Sequence, residues 1–321
     1  MRSDFEVTVK GLPERSSRDI RNAVVTVVEA VSQPHEALDL RRMYQIVVTA
    51  NFAGELAQLS RRTVSGNPIT HTKEEYAFAL AKVLLLPRGE DYEILPVVDA
   101  RIAGFPASIA RHALHHELCH VHDHNKHIDA FPNDMLRRRY GGKDMFLGPL
   151  GERCWSEYIA DFMSSSTATG DWLASMARSL ADAIARTRNR VNREILLYRF
   201  HGSDLNHLIE EFRRHGEFLP IVAAHILGYM DGLGVPLSGL SSAAAERLAG
   251  SYFETTWNAL HKAFREMREL YPERWKDLGV YDNLARVLDD YYAMMGLVLS
   301  TTEDGGAYVD VPFGLGTAPN Q

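Results

Sequence analysis

The spacing of apolar residues over the first hundred positions predicts strands that alternate with helices. A period of two over residues 5–10 predicts a strand, and a helical period from about residue 17 to residue 31 follows it. β-Branched residues over positions 44–50 predict a second strand. Residues 74–86 start with a helical period and end as an apolar run, so their type stays open between helix and strand.

A turn at residues 87–91 and a returning strand at residues 92–99 come next. Pro96 lies inside this strand. Because proline cannot donate a hydrogen bond to a neighbouring strand, we expect the strand at an edge of the sheet. The unpaired backbone of residues 94–98 would then be able to bind an extended peptide by strand addition. Pro106 follows in the first turn of the next helix, where its missing N–H costs nothing.

That helix carries apolar residues at Leu114, Leu118 and Val121, and this spacing predicts a stripe that faces the core. From residue 123 to residue 151 glycines and prolines interrupt the pattern, which predicts loops with at most one short helix. The remainder is almost wholly helical by its period. The predicted helices cover residues 152–164, 172–200, 204–214, 219–233, 242–271 and 283–299, and a short strand covers residues 307–311.

Composition and charge narrow the class of protein. The 321 residues are 45% hydrophobic and 24% charged, which is typical of a soluble globular protein. A net charge of −7 and a pI near 6.1 argue against nucleic acid or an anionic membrane as a partner. The sequence has no apolar run long enough to span a membrane and only the cysteines Cys119 and Cys154, and its first residues do not look like a secretory signal. We therefore expect a cytoplasmic protein.

The candidate chemistry begins at His116-Glu117-Leu118-Cys119-His120, which fits the H-E-x-x-H pattern of zinc-dependent hydrolases. Residues at i and i+4 share one face of a helix, so His116 and His120 can hold one metal ion together. Glu117 projects beside them, where it can reach a water on the metal. The pattern predicts a metal site that still needs a third ligand.

Several downstream residues are candidates for the third ligand. Glu157 is the best match, since Glu157 and Asp161 share a helix face at i, i+4. The sequence argues against a metzincin, because Asp123 and Lys126 stand where that class has glycine and histidine. The alternatives that stay open are His124, His127, Asp129, Glu152 and Cys154.

His116-Glu117-x-x-His120 followed by Glu157-x-x-x-Asp161 on a later helix resembles the paired-helix signature of the gluzincin branch of zincin metallopeptidases. The cytosolic phage-repressor-cleaving and regulatory metallopeptidases of the ImmA/IrrE type are a looser comparison. The resemblance covers about residues 83–164. It implies that Glu157 is a zinc ligand and that Asp161 hydrogen-bonds a histidine ligand in the second coordination shell.

The donor set supports the same chemistry. Two neutral imidazoles and one carboxylate leave an open fourth position, which is typical of catalytic zinc. Such a site lowers the pKa of its bound water toward about 7, and Glu117 is the expected general base. We therefore expect one zinc ion per chain, hydrolysis of peptide bonds, and a peptide or protein substrate. The alternatives are an inactive zincin-fold scaffold or regulatory protein and a metal-dependent hydrolase of a non-peptide amide or ester.

The expected fold class is α+β. Residues 1–168 are predicted to form a zincin-like α/β catalytic unit, with a small mixed sheet and the H-E-x-x-H helix. Residues 169–321 are predicted to form a helical domain that completes the cleft.

The other histidines receive simpler predictions. By the helical wheel, His115 and His122 should be exposed, and His112 lies one turn from the metal pair, where it can line the cleft. A peptidase also needs a donor to the developing oxyanion. The sequence does not choose among the available donors, which are Tyr140, His207, His215, His225 and Tyr229.

Overall fold

The computed structural model describes residues 5–31, 38–63, 73–74, 77–78, 80–131 and 140–313. The fold class is α+β, as predicted, with a small mixed sheet near the N-terminus and a helical C-terminal region. The chain forms two compact units, and each draws on two stretches of sequence. The first comprises Met1–Leu136 and Met163–Trp172, and the second comprises Arg137–Phe162 and Leu173–Gln321. The division predicted after residue 168 stays a prediction.

The sheet of the first unit has four strands. They are β1 (Glu6–Lys10), β2 (Gln45–Thr49), β5 (Ala81–Arg88) and β6 (Asp91–Asp99). A separate two-stranded sheet is formed by β3 (Lys73–Glu74) and β4 (Ala77–Phe78). Their order is β1-β2-β6-β5. Strands β1 and β6 are both parallel to β2, whereas β5 is antiparallel to β6. The strands expected at 5–10, 44–50 and 92–99 are confirmed, and the open segment at 74–86 ends as strand β5.

The edge position predicted for residues 92–99 is wrong, because β6 lies between β2 and β5. Ile94 donates its backbone N–H to Arg42 on the β2 side, and the alternation of a strand turns the nitrogen of Pro96 to that same side. The parallel ladder with β2 begins only at Val97, so the missing donor falls just before it. Strand addition at residues 94–98 is thereby excluded, and among the described strands β1 and β5 lie at the edges of this sheet.

Helices cover both faces of this sheet. Helices α1 (Glu14–Val31) and α3 (Ala107–Ala130) contribute to one core with Ile46, Val48 and Val98. Helix α2 (Phe52–Ser60), for which the sequence pattern gave no prediction, packs against the opposite face through Phe52, Leu56 and Leu59. Burial on both faces explains why β6 is a continuous apolar run.

The loops predicted between residues 123 and 151 are largely helical. Helix α3 continues to Ala130, where the buried side chain of Asn125 donates to the carbonyl oxygen of Asp39. Helix α4 (Asp144–Ser164) begins before its predicted start at residue 152 and includes Pro149. A Cβ at Gly148 would lie 2.1 Å from the ring of Tyr140, so this glycine permits a close contact within the helix. Residues 132–139 lie outside the described part.

The second unit is mainly helical. It contains α5 (Gly170–His201) from Leu173 onward. Its further elements are α6 (Leu205–His215), α7 (Phe218–Leu233), α8 (Leu237–Leu240), α9 (Ser242–Leu248), α10 (Glu254–Leu270), α11 (Asp282–Met294), β7 (Val298–Thr301) and β8 (Ala307–Asp310). The single helix predicted over 242–271 is broken at Gly250, whose φ is +68°. The helix predicted over 283–299 ends early, and β7 pairs with β8, which confirms the strand expected at 307–311.

Helix α7 contacts α6, α8 and α10 within this unit, and most of its residues from Leu219 to Met230 are buried. None of the helices in the described ranges is both long and apolar enough to cross a membrane.

Candidate metal centre

The apolar stripe of α3 anchors the two motif histidines. Leu114, Leu118 and Val121 are at most 4% exposed and belong to the core beneath the sheet, as predicted. His116 and His120 lie on another face of the helix, with their Nε2 atoms 2.9 Å apart and their rings nearly perpendicular at 88°. Both ring nitrogens therefore point to one place.

Buried aromatic residues fix helix α4 within the second unit. Trp155 lies 5.1 Å from Trp275 between ring centroids, and Tyr158 stacks on Phe264 at 4.7 Å. The Tyr158 hydroxyl donates to Asp231 at 2.7 Å. Because Trp155 and Tyr158 set the rotation of the helix, Glu157 lies on a different face and keeps 19% of its side chain exposed.

His116, His120 and Glu157 form a group that can hold a metal ion. Their ligand atoms all lie within 4.8 Å of one another, and the described residues contain no other such group of His, Cys, Asp or Glu. Tetrahedral coordination with bonds of about 2.0–2.1 Å places two ligand atoms about 3.3 Å apart. The nitrogen pair at 2.9 Å is near this value. The donor set thus fits a divalent metal ion.

The alternatives to Glu157 lie outside this group. Asp129 pairs with Arg41 and lies 3.0 Å from Arg42. The Nδ1 atom of His127 lies 3.0 Å from the carbonyl oxygen of Asp123. Burial lowers the pKa of His124 to about 4, which keeps its imidazole neutral.

Cys154 is fully buried, and burial raises the pKa of its thiol well above the usual range. A thiol needs to lose its proton to become a good zinc ligand, so this environment disfavours Cys154. Cys119 is also fully buried, and neither of the two cysteines is in a disulfide. Glu152, the remaining alternative, lies on α4 and is half-buried.

A second histidine–carboxylate arrangement involves α4 and α7. His225 has its Nδ1 atom 2.5 Å from Oδ2 of Asp161 and its Nε2 atom 3.6 Å from Oε2 of Glu157. Asp161 is fully buried, whereas the side chain of His225 is 20% exposed. The predicted bond from Asp161 to a ligand histidine stays a prediction. Sequence reasoning named His225 only as one of five oxyanion donors, although an ionisable residue within an apolar helix is a usable signal.

The close approach of α7 to α4 depends on Gly228, one turn after His225. A Cβ at this position would lie 2.4 Å from the carbonyl oxygen of Tyr158 and 3.0 Å from Cβ of Asp161. The missing side chain lets the backbones meet, which brings His225 within hydrogen-bonding distance of Asp161.

The exposure predicted for His115 is wrong, because only 2% of it is exposed. Its Nδ1 atom and that of the buried His112 each lie 3.0 Å from Oγ1 of Thr167. The Thr167 hydroxyl donates to Ser164, so its oxygen accepts from both histidines and both carry a proton on Nδ1. His122 is half-buried rather than exposed, and its Nδ1 atom accepts the backbone N–H of Asp39.

Glu117 follows His116 on α3 and is half-buried, so part of it remains accessible to solvent. Among the other predicted oxyanion donors, His207 and His215 lie 3.8 Å and 3.3 Å from Glu194 and Glu211. Tyr229 is 1% exposed and packs in the core of the second unit.

Asp231 is a buried carboxylate on α7 that four side chains contact. It accepts hydrogen bonds from Tyr158, His261, Arg265 and Arg268. Burial alone would raise the pKa of Asp231, but the bonds from His261, Arg265 and Tyr158 outweigh it and hold that pKa well below its usual range. This cluster connects α4, α7 and α10 within the second unit.

No known protein family matches the chain, and comparisons with curated proteins and with solved structures found no similar protein.

Proposed function

We propose that the protein is a zinc-dependent metallopeptidase. The observation that carries this proposal is the convergence of His116, His120 and Glu157, whose ligand atoms lie within 4.8 Å of one another. Two histidines and one carboxylate are the ligand set of several catalytic zinc sites, whereas structural zinc is held by four side chains that are mostly cysteines. The resemblance to gluzincins, carried by the same three residues and Asp161, supports zinc over other metals.

Each residue of the proposed site has its own role in the reaction. His116, His120 and Glu157 would hold the ion, which when bound acts as a Lewis acid and lowers the pKa of a coordinated water. Glu117 is adjacent to His116 and partly accessible, so it can accept a proton from the attacking water and deliver it to the leaving amine. The stripe of α3 holds the histidines at a fixed rotation, which limits the reorganisation that binding requires.

The proposed substrate is a peptide or protein, and the proposed location is the cytoplasm. The edge strand β5 is antiparallel to its neighbour β6 and contacts α3, the helix that carries Glu117. An extended peptide that paired with this edge would gain backbone hydrogen bonds independent of its sequence. This edge replaces residues 94–98 as the proposed substrate-binding strand.

Peptide-bond cleavage is tested by incubating the zinc-loaded protein with a cell lysate and identifying new protein N-termini. Glu117→Gln is the matched control, because it removes the base and leaves the three ligands. New termini with the wild type and none with the variant are expected. If neither generates termini while both hold zinc, the peptidase proposal is overturned in favour of a binding protein or a hydrolase of non-peptide bonds.

A further inference from the structure

We propose that His225 is a positioning residue that joins Asp161 to Glu157 and thereby orients the metal-binding carboxylate. This inference rests on the proposed function, since it assigns Glu157 as a ligand. It goes beyond the role that the gluzincin resemblance implies for Asp161, because Asp161 would also act on the carboxylate ligand through His225.

The geometry within the second unit carries the proposal. The ring of His225 lies between two carboxylates of α4, with Nδ1 2.5 Å from Asp161 and Nε2 3.6 Å from Glu157. The contact of Nε2 with Glu157 lies within ion-pair distance and slightly beyond hydrogen-bond distance. Asp161 is fully buried, so its bond to Nδ1 fixes the angle of the ring. The other ring nitrogen is thereby directed at the Glu157 side chain.

Packing fixes the positions of the two helices, α4 and α7, that carry this relay. Glu157 and Asp161 are one turn apart on α4, which Trp155 and Tyr158 hold by aromatic packing. On α7, Gly228 brings the backbone against Tyr158 one turn after His225. The relay therefore links two helices whose spacing is already set by packing. Its function is to fix the orientation of the Glu157 side chain.

Outer residues of this kind set how well the ligands are oriented, and their loss typically weakens metal binding by about 10- to 100-fold. His225→Ala is expected to raise the zinc dissociation constant by that factor. Asp161→Ala is expected to raise it by a larger factor in the wild-type background than in the His225→Ala background, since both changes break the same relay.

The test is a double-mutant cycle in which zinc affinity is measured by competition with a chelator, using the full chain. Helical content and thermal unfolding are recorded for each variant. The matched control is His261→Ala, which removes another histidine–carboxylate contact of α7, that between His261 and Asp231 at 3.0 Å. This variant should keep wild-type zinc affinity.

The outcomes separate the two proposals. If the wild type binds no zinc, the proposed function fails. If the wild type binds zinc and His225→Ala binds it equally well, the function stands and the relay is refuted. Equal losses from Asp161→Ala in both backgrounds would also refute it, since Asp161 would then act without His225. Should His225→Ala not fold, His225→Gln replaces it, and wild-type affinity in that variant would overturn the relay.

Discussion

His225 lies 2.5 Å from Asp161 because Gly228, one turn further along α7, carries no side chain. A Cβ at Gly228 would lie 2.4 Å from a backbone oxygen of α4, and backbone atoms cannot move as a flexible side chain does. The contact between the two helices is therefore sensitive to a single added methyl group.

Gly228→Ala is expected to destabilise the protein by about 1–3 kcal/mol, the usual cost of overpacking a buried contact. It should also weaken zinc binding, because α7 must shift away from Asp161. Chemical denaturation and chelator competition measure the two effects. Gly170→Ala is the control, since a Cβ there meets nothing within 4 Å. Equal stability of the two variants would contradict the close approach.

Asp231 should make a measurable contribution to acid stability. Its pKa is lowered in the folded state, so its contribution is fully present above the unfolded-state pKa and is lost as the pH falls through the folded-state value. Asp231→Ala should cost on the order of 1–3 kcal/mol at pH 7, because it removes the acceptor of the Tyr158 hydroxyl and the partner of three basic side chains that stay partly exposed. The free energy of unfolding of this variant should also decline less steeply below about pH 4 than that of the wild type.

A surface ion pair provides the control for this measurement. Asp182→Ala removes a pair with Arg186 at 3.9 Å in which both side chains are about half exposed, so its effect should stay below about 1 kcal/mol. If the free energy of unfolding of Asp231→Ala falls as steeply toward acid pH as that of the wild type, the carboxylate does not have a lowered pKa.

Thr167→Val should destabilise the first unit, because it removes the acceptor that His112 and His115 share. Loss of hydrogen bonds to buried polar groups costs about 1–3 kcal/mol per group. Thr167→Ser keeps the hydroxyl and should remain within about 1 kcal/mol of the wild type. Thermal or denaturant unfolding compares the two variants. If they are equally stable, the shared hydroxyl does not support the helix.

Glu157 and Cys154 can be compared as ligands by substitution. Glu157→Ala should lose zinc affinity, whereas Cys154→Ala should retain it, since this thiol is buried and its pKa is raised. Zinc retention after dialysis against a weak chelator is the measurement. If Cys154→Ala loses zinc and Glu157→Ala retains it, the third ligand is Cys154 and not Glu157.

The sequence predicted the parts of the fold that depend on local pattern. The strands β1, β2 and β6 and the stripe Leu114–Leu118–Val121 follow from apolar spacing, and the three proposed ligands follow from residue type and spacing. For β6 the edge prediction rested on Pro96 alone, whereas the continuous apolar run of the same strand indicates an interior position. The run was the better signal, because burial on both faces involves the whole strand, whereas one missing donor can fall where no ladder bond is needed.

Other features depend on distant residues and cannot be read from local spacing. His115 is buried because Thr167, far along the chain, supplies an acceptor. Gly148 lies within helix α4, where a Cβ would come 2.1 Å from the ring of Tyr140, a contact that the glycine alone does not reveal in the sequence. The bond between Asp161 and His225 likewise joins two helices whose pairing has no signature in the sequence of either.

The most direct test of the central claim is the zinc content of the full-length protein purified without chelator. The account predicts about one zinc ion per chain in the wild type and in Glu117→Gln, and strongly reduced zinc in His120→Ala. Absence of zinc from the wild type after zinc is supplied, together with unchanged thermal stability of His120→Ala, would contradict the account.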